Sequence, residues 1–362
     1  MPTGQTEPTN QPLIGEIPGY NRRRRMRLFA IIALAIAAVL IALLVLTVGS
    51  VKISFASVWG ILISHLPLVH IQGGWSATSN TIIWGIRLPR VLMASLVGSA
   101  LGVAGAAYQG IFRNPLADPY LIGVAQGAAL GAALGFVFSW NIVGGYLIPL
   151  LAFIGALAAV TVVYLVARVG RSLPNTTLIL AGVAIGALLI SITSYLTLVA
   201  PDKTHGIVSW LMGSFSMTNW TQVGLVAPYI ILGIAAICLF SRHLNVMQLD
   251  EEQAQQLGIN VERTKIILLV VSTLITAAAV CFVGTIGFVG IIVPHAVRLI
   301  FGPDHRSLLP LSALVGAVLL ILADTASRTL IPPTEIPVGI ITAFLGAPFF
   351  VFLLRRKKKA IF

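Results

Sequence analysis

The chain has 362 residues, 57% of them hydrophobic and 9% charged, with a mean hydropathy of +0.98 and a net charge of +12. Average soluble domains hold roughly 25% charged residues, so a soluble enzyme or receptor is excluded and an all-α integral membrane protein is required. Cys238 and Cys281 fall in different apolar runs, a placement that suits core packing and argues against a disulfide or a metal site.

Residues 1–21 are polar and rich in Pro, Thr and Gly, which predicts a disordered tail that runs with the basic cluster to residue 27. Crossing a bilayer as a helix takes about 20 apolar residues. Ten runs qualify: 28–49, 88–110, 119–140, 145–167, 176–199, 221–241, 264–283, 284–301, 308–326 and 337–354. The eighth is short. The first is too long for a signal-peptide core and no small-residue cleavage site follows it cleanly. Residues 28–354 therefore read as one transmembrane domain, followed by a basic tail over 355–362.

An even number of spans places both termini on one side. With the N-terminus cytoplasmic, all but five of the 23 Lys and Arg face the cytoplasm, the exceptions being Lys52, Arg87, Arg90, Lys203 and Arg328. The positive-inside rule is obeyed. The basic balance then belongs beside anionic lipid, and a nucleic-acid partner is unnecessary.

Between the first two spans, Trp59, Trp75 and Trp84 mark an interfacial segment, and 53–65 suits a helix lying on the surface. His65 and His70 lie in this segment without carboxylate or Cys neighbours. Arg87-Leu88-Pro89-Arg90 follows at the outer mouth of the second span, where arginines must snorkel or pair; they are expected to point outward at an acidic group or lipid phosphate. Gly98 and Gly102, then Gly123, Gly127, Gly131 and Gly135, recur every fourth residue, making faces on which helices approach closely. Residues 112–119 read as a tight cytoplasmic turn. The fifth span holds Ser191, Thr193 and Ser194, which suits a helix facing water or a partner, and 205–219 contains a short amphipathic piece.

The longest polar interruption of the second half is LNVMQLDEEQAQQLGINVERTK, 244–265. Asp250 is placed to cap a helix, Glu251 and Glu252 lie in its first turn, Gln253 completes a capping box and Gly258 after Leu257 stops it. Asn260 can cap a second helix that runs into the next span. A rigid knob results, helix, glycine corner, helix, on the cytoplasmic side. Asp324 and Arg328 then lie four apart on one helix face, and Glu335 sits in an outer loop. His295 reads as a packed histidine.

No GxxxxGK[ST], HExxH, GxSxG or CxxC pattern occurs, and no lysine follows a glycine. Ion-driven carriers keep ionisable groups at mid-membrane, whereas the single carboxylate within a predicted span is Asp324, near an end. What survives is a membrane pore energised by a separate cytoplasmic protein. An ion-coupled secondary carrier is the alternative of another class.

Several motifs carry a resemblance: RLPR at 87–90, GSALGVAGAAYQGIFRNPLADPYLIGVAQGAALGA from Gly98, LAGVAIG from Leu180, LMGSF from Leu211, AQQLGINV from Ala254, GFVGIIVPHAVRLIFGPDHRSLLP from Gly287 and EIPVGIITAFLGAPFF from Glu335. Over 87–354 the chain resembles the permease subunit of type II ABC importers, the FecCD-like family that takes up ferric siderophores, haem and cobalamin. The resemblance implies ten helices per subunit, a homodimer around a central pathway, two ATPase subunits that bind ATP and Mg, a substrate-binding protein above, and no cofactor held by this chain. It places Arg87, Arg90 and Arg328 at docking contacts with binding-protein glutamates. Asn114 and Leu116 match one cytoplasmic gate; Asn175 and Thr176 fall at the other, although Pro174 precedes them. The coupling helices, about 246–262, involve Asp250, Glu251, Ala254, Leu257 and Gly258, and Ser191 and Ser194 are candidate pathway-lining residues. Cargo is expected to be a ferric siderophore or haem, with cobalamin as the alternative.

Overall fold

The computed structural model describes residues 20–49, 51–65, 73–138, 145–170, 172–249 and 251–358. Within them the order is α1 (Tyr20–Thr47), α2 (Phe55–Ser64), α3 (Ala77–Phe112), α4 (Val124–Phe138), α5 (Leu147–Ala167), α6 (Asn175–Val199), α7 (Thr204–Leu211), α8 (Trp220–Leu239), α9 (Ser241–Val246), α10 (Glu251–Gln256), α11 (Val261–Val283), α12 (Val289–Phe301), α13 (His305–Thr329) and α14 (Val338–Lys358). No strand occurs among the described residues.

Seven helices are long and apolar enough to cross a bilayer: α1, α3, α5, α6, α8, α11 and α13. The remaining three of the ten predicted spans are filled by α4, α12 and α14, apolar over Val124–Phe138, Val289–Phe301 and Val338–Val351. The third starts late because Pro119–Ile122 forms a 3-10 turn before Gly123, and the eighth because the backbone breaks between Gly284 and Phe288, both at positive φ. Two predicted tails are shorter than expected. Helix α1 is already formed at Tyr20, and α14 continues through Lys358. His70, Asp250 and residues 1–19 lie outside the described residues.

Helix α3 is the central rod, packed by α13, α11, α12 and α8, while α4 and α5 form a tight pair against α6. Lipid tails are as apolar as leucine, so close backbone contact rather than water exclusion must hold such helices together. The expected small-residue faces supply it. A Cβ at Gly98 would meet the Gly316 carbonyl of α13, and one at Gly131 the Leu151 carbonyl of α5. Helix α1 keeps Phe29, Ile32, Ile36 and Leu40 exposed, as a lipid-facing helix should. On the face expected to lie along the membrane, α2 is capped by Ser54, which accepts from Ser57 N at 3.2 Å. His65 at its end stacks on Trp84 with ring centroids 3.9 Å apart.

Among the described residues, the long-range ion pairs and charged hydrogen bonds of Arg27, Arg87, Arg90, Asp304 and Arg328 gather at two ends. One holds the start of α1, α9, α10 and the loops before α4, α6 and α13; the other holds the end of α1, the start of α3, the end of α13 and Glu335.

Candidate functional site

The knob is ordered as its residues require. Gly258 has φ +81°, a conformation costing an ordinary L-residue about 1–2 kcal/mol. Ile259 N donates to Ala254 O at 3.1 Å and Gly258 N to Gln255 O at 2.9 Å, the paired bonds of a Schellman cap. Asn260 Oδ1 accepts from Arg263 N at 2.9 Å and starts α11. Met247, Ala254 and Val261 bury one another as a small private core, which fixes α10 to α9 and α11. Outside that core Leu257 is 63% exposed and Leu249 44%. The knob turns apolar side chains outward.

The base of the knob is stitched to the bundle. Asn245 donates Nδ2 to Asp304 Oδ1 at 2.7 Å and accepts from His305 N at 2.8 Å. Arg27 pairs with the other Asp304 oxygen. Burial alone would raise the Asp304 pKa, but the bonds from Asn245, Arg306 N and Arg27 outweigh it and hold the carboxyl below its usual range. Gln248 Nε2 donates to Gly110 O at 3.2 Å, close to the end of α3.

Both expected gate segments lie at this end. Asn114 Oδ1 accepts from Leu116 N at 3.0 Å, an Asx turn made possible by Arg113 in the left-handed region at φ +49°. Asn114 is exposed and Leu116 half-buried. Beneath them Asp118 caps the 3-10 turn by accepting from Tyr120 N at 2.7 Å, and burial pushes its carboxyl up to about 6. Asn175 opens α6 and donates Nδ2 to Ile111 O at 3.2 Å, so the structure brings the second segment against the root of the first. Thr176 is exposed. Higher on α6, Ser191 and Ser194 are exposed among Leu188, Ile190, Tyr195 and Leu198; Ser191 returns its hydroxyl to Ala187 O at 2.9 Å.

At the opposite end the expected outward arginines turn inward. Arg90, buried, reaches Asp324 through Nε at 2.9 and 3.0 Å and Glu335 through both terminal nitrogens at 3.0 Å. Arg87, also buried, donates to Leu46 O and Val51 O at 2.6 Å each. Arg328 donates to Val48 O at 2.9 Å and Val45 O at 3.2 Å. Two guanidiniums thus gather on carbonyls at and just beyond the end of α1, where the helix dipole favours cations. Arg328, four residues from Asp324 on the same helix, is the lesser partner of that carboxylate: the contact is 3.8 Å, against 2.8 Å from Arg90.

The profile of the FecCD transport family matches residues 32–356. This chain belongs to the FecCD transport family. Among its curated relatives, the "Cobalamin import system permease protein BtuC" of Halobacterium salinarum is 46% identical over 80% of this chain and 77% of the relative. The "Hemin transport system permease protein HmuU" of Yersinia pestis is 43% identical over 79% and 87%. The "Fe(3+) dicitrate transport system permease protein FecD" of Escherichia coli is 40% identical over 76% and 86%. A solved structure described as an inward-facing metal-chelate type ABC transporter superimposes with TM-score 0.79 at 32% identity, over 90% of this chain and 99% of that one.

The chain is accordingly a multi-pass inner-membrane permease of an ABC importer, a class that works with ATPase and substrate-binding partners. Within this FecCD-family chain, sequence reading passed over Glu262, Gln248 and Asn245, the polar residues that tie the knob to its surroundings. One signal was available for Glu262: an acid in the first turn of a helix that carries no charge after Lys265.

Proposed function

We propose that this FecCD-family permease passes an intact metal chelate, a ferric siderophore or haem, from a substrate-binding protein to the cytoplasm. Separate ATPase subunits, which bind the ATP and Mg, seat on α10. The chain itself holds no cofactor, pairs with a second copy of itself and keeps both termini in the cytoplasm. The observation supporting this most directly is the capped corner at Gly258 with Leu257 exposed, on a knob whose flanks are bonded to Gly110 at the end of α3 and to Leu173 before α6. Asn114, Leu116, Asn175 and Thr176 close the pathway at that end, and Ser191 and Ser194 line it. A bare ferric ion needs hard oxygen ligands along its route, whereas Asp324 is consumed by Arg90.

Docking of the binding protein on Arg87, Arg90 and Arg328 requires exchange, because each guanidinium already has acceptors. The half-exposed Glu335 is the partner an incoming carboxylate displaces most easily. Cobalamin is the second reading of the cargo, favoured by the 46% identity to the Halobacterium protein.

Uptake by proteoliposomes holding the permease and its ATPase, with metal and chelator separately labelled, tests the proposal. Both labels are expected to enter together, with ATP and without a proton gradient. Metal entering without its chelator, or uptake that survives ATP removal and collapses with the proton gradient, overturns it. Running ferric siderophore, haem and cobalamin side by side assigns the cargo.

A further inference from the structure

Glu262 is the second residue of α11, directly after the knob. Its Oε2 accepts the backbone N–H of Leu173 at 3.0 Å, although the two residues are 89 apart in sequence. Its Oε1 lies 3.9 Å from Nζ of Lys265, a side chain only 3% exposed. A carboxylate here is favoured by the helix N-terminus and by the lysine. Hydrogen bonds to an ionised acceptor are roughly twice as strong as neutral ones.

Leu173 belongs to the short connection into α6. Its side chain is buried, Pro174 after it has no N–H to offer, and Asn175 next holds Ile111 O at the root of the other gate turn. On the other flank of Glu262, Asn260 caps α11, and Val261 is locked to Met247 and Ala254. The knob and the start of α11 therefore move as one piece. The Glu262–Leu173 bond joins that piece to the segment expected to gate the pathway.

We propose that Glu262 is the positioning residue that transmits movement of the knob to the gate segment at 173–176. This deepens the reading of the knob as the ATPase seat and rests on it. The carboxylate draws Leu173 N–H along when α10 is displaced, and Pro174–Asn175 relays the shift to the mouth of α6. A bond that merely shapes a loop would leave the work done per ATP unaltered, which separates the two possibilities.

The test compares wild type, Glu262→Gln and the pair Glu262→Ala with Lys265→Met, in which no buried ammonium is left beside an empty site. Each is reconstituted with its ATPase, and hydrogen exchange at Leu173, co-purification, ATP hydrolysis and chelate uptake are read. In the pair, Leu173 exchange is expected to rise about tenfold, the effect of losing one hydrogen bond. Uptake per ATP is expected to fall about fivefold or more, within the usual range of coupling between sites, while the ATPase still co-purifies. Glu262→Gln, whose amide oxygen can still accept, is expected to keep at least about half of the ratio, as an uncharged hydrogen bond has roughly half the strength. Unchanged exchange, an unchanged ratio, or loss of the ATPase from the pair each overturns the proposal. Failure of the underlying reading shows elsewhere: the ATPase would then stay bound when Leu257 and Gly258 are replaced.

Discussion

The two ends of the bundle both spend polar groups on their own helix ends and differ in what they leave outward. At the arginine end, Arg87, Arg90 and Arg328 spend their donors on carbonyls of α1 and on two carboxylates within the chain. Near hydrocarbon an unpaired charge is costly, so the fold consumes these groups as internal fasteners. At the knob end, Asn245, Asn260 and the backbone of Gly258 satisfy helix ends, and Leu249 and Leu257 stay exposed beside the polar Glu252, Gln253, Gln255 and Gln256. An apolar side chain presented beyond the bundle by a rigid, capped helix has a partner's pocket as its natural place. If the knob is the ATPase seat, as proposed, the group it offers is Leu257 beyond the bundle, whereas the arginines are already occupied.

The comparison breaks most visibly at the corner. Replacing Leu257 by Asp and Gly258 by Pro together removes the exposed apolar group and the N–H that closes the cap on Gln255. It also forces φ near −65° where the chain requires +81°. We expect complete loss of ATPase co-purification and of stimulated ATP hydrolysis, while circular dichroism and size-exclusion elution stay as in wild type. Retained co-purification would place the seat elsewhere. Gly258→Pro alone should weaken association by damaging the corner while leaving Leu257 present.

The next effect lies at the other end and concerns stability instead of partners. Removing one member of a buried ion pair typically costs 3–5 kcal/mol, because the other charge is left uncompensated. Arg90→Ala strands Asp324, whose side chain is 1% exposed, and should lower the thermal midpoint in detergent severely. Arg328→Ala removes bonds to carbonyls at the end of α1 that water can partly replace, and should cost about 1–3 kcal/mol. Equal effects for the two would contradict the assignment of Arg90 as the main partner of Asp324.

The sequence shows why one end was legible and the other was not. Capping is local: Asn260 with Arg263, and Gly258 after Leu257, sit within one turn of what they satisfy, so α10, its corner and α11 could be located residue by residue. Apolar length is local too, which is why each of the ten predicted spans coincides with an apolar helix, and why the third and eighth were mis-started where Gly123 and Gly284–Phe288 bend the backbone. The arginines are different. Arg90 meets Asp324 across 234 residues and Glu335 across 245, and Arg87 meets carbonyls that any sequence would provide. Nothing near RLPR says whether its guanidiniums face a binding protein or the protein's own interior. The seven-residue π-helical stretch Thr81–Arg87 that aims Arg87 has no sequence signature either. The Glu262–Leu173 bond belongs to the same class, a side chain meeting a distant backbone N–H.

The smallest expected effect sharpens the comparison by asking whether the arginine end can dock at all. Glu335 is the exposed one of the two carboxylates that Arg90 holds, 40% at its side chain, and an exposed ion pair is worth at most about 1 kcal/mol. If a binding-protein carboxylate docks by taking Arg90 from Glu335, then Glu335→Gln removes the competitor without unpairing Arg90 from Asp324. Affinity for the binding protein should rise, and by no more than about fivefold, since about 1 kcal/mol is the most that the pair can return. The gain should shrink with added salt, because screening sets in over about 8 Å at physiological ionic strength. Binding-protein affinity measured by surface plasmon resonance at two salt concentrations gives the answer. A fall in affinity would mean that Glu335 itself contacts the partner. An affinity indifferent to both the substitution and salt would mean that the arginines serve only as fasteners, and that docking at this end rests on apolar contact, as proposed for the knob.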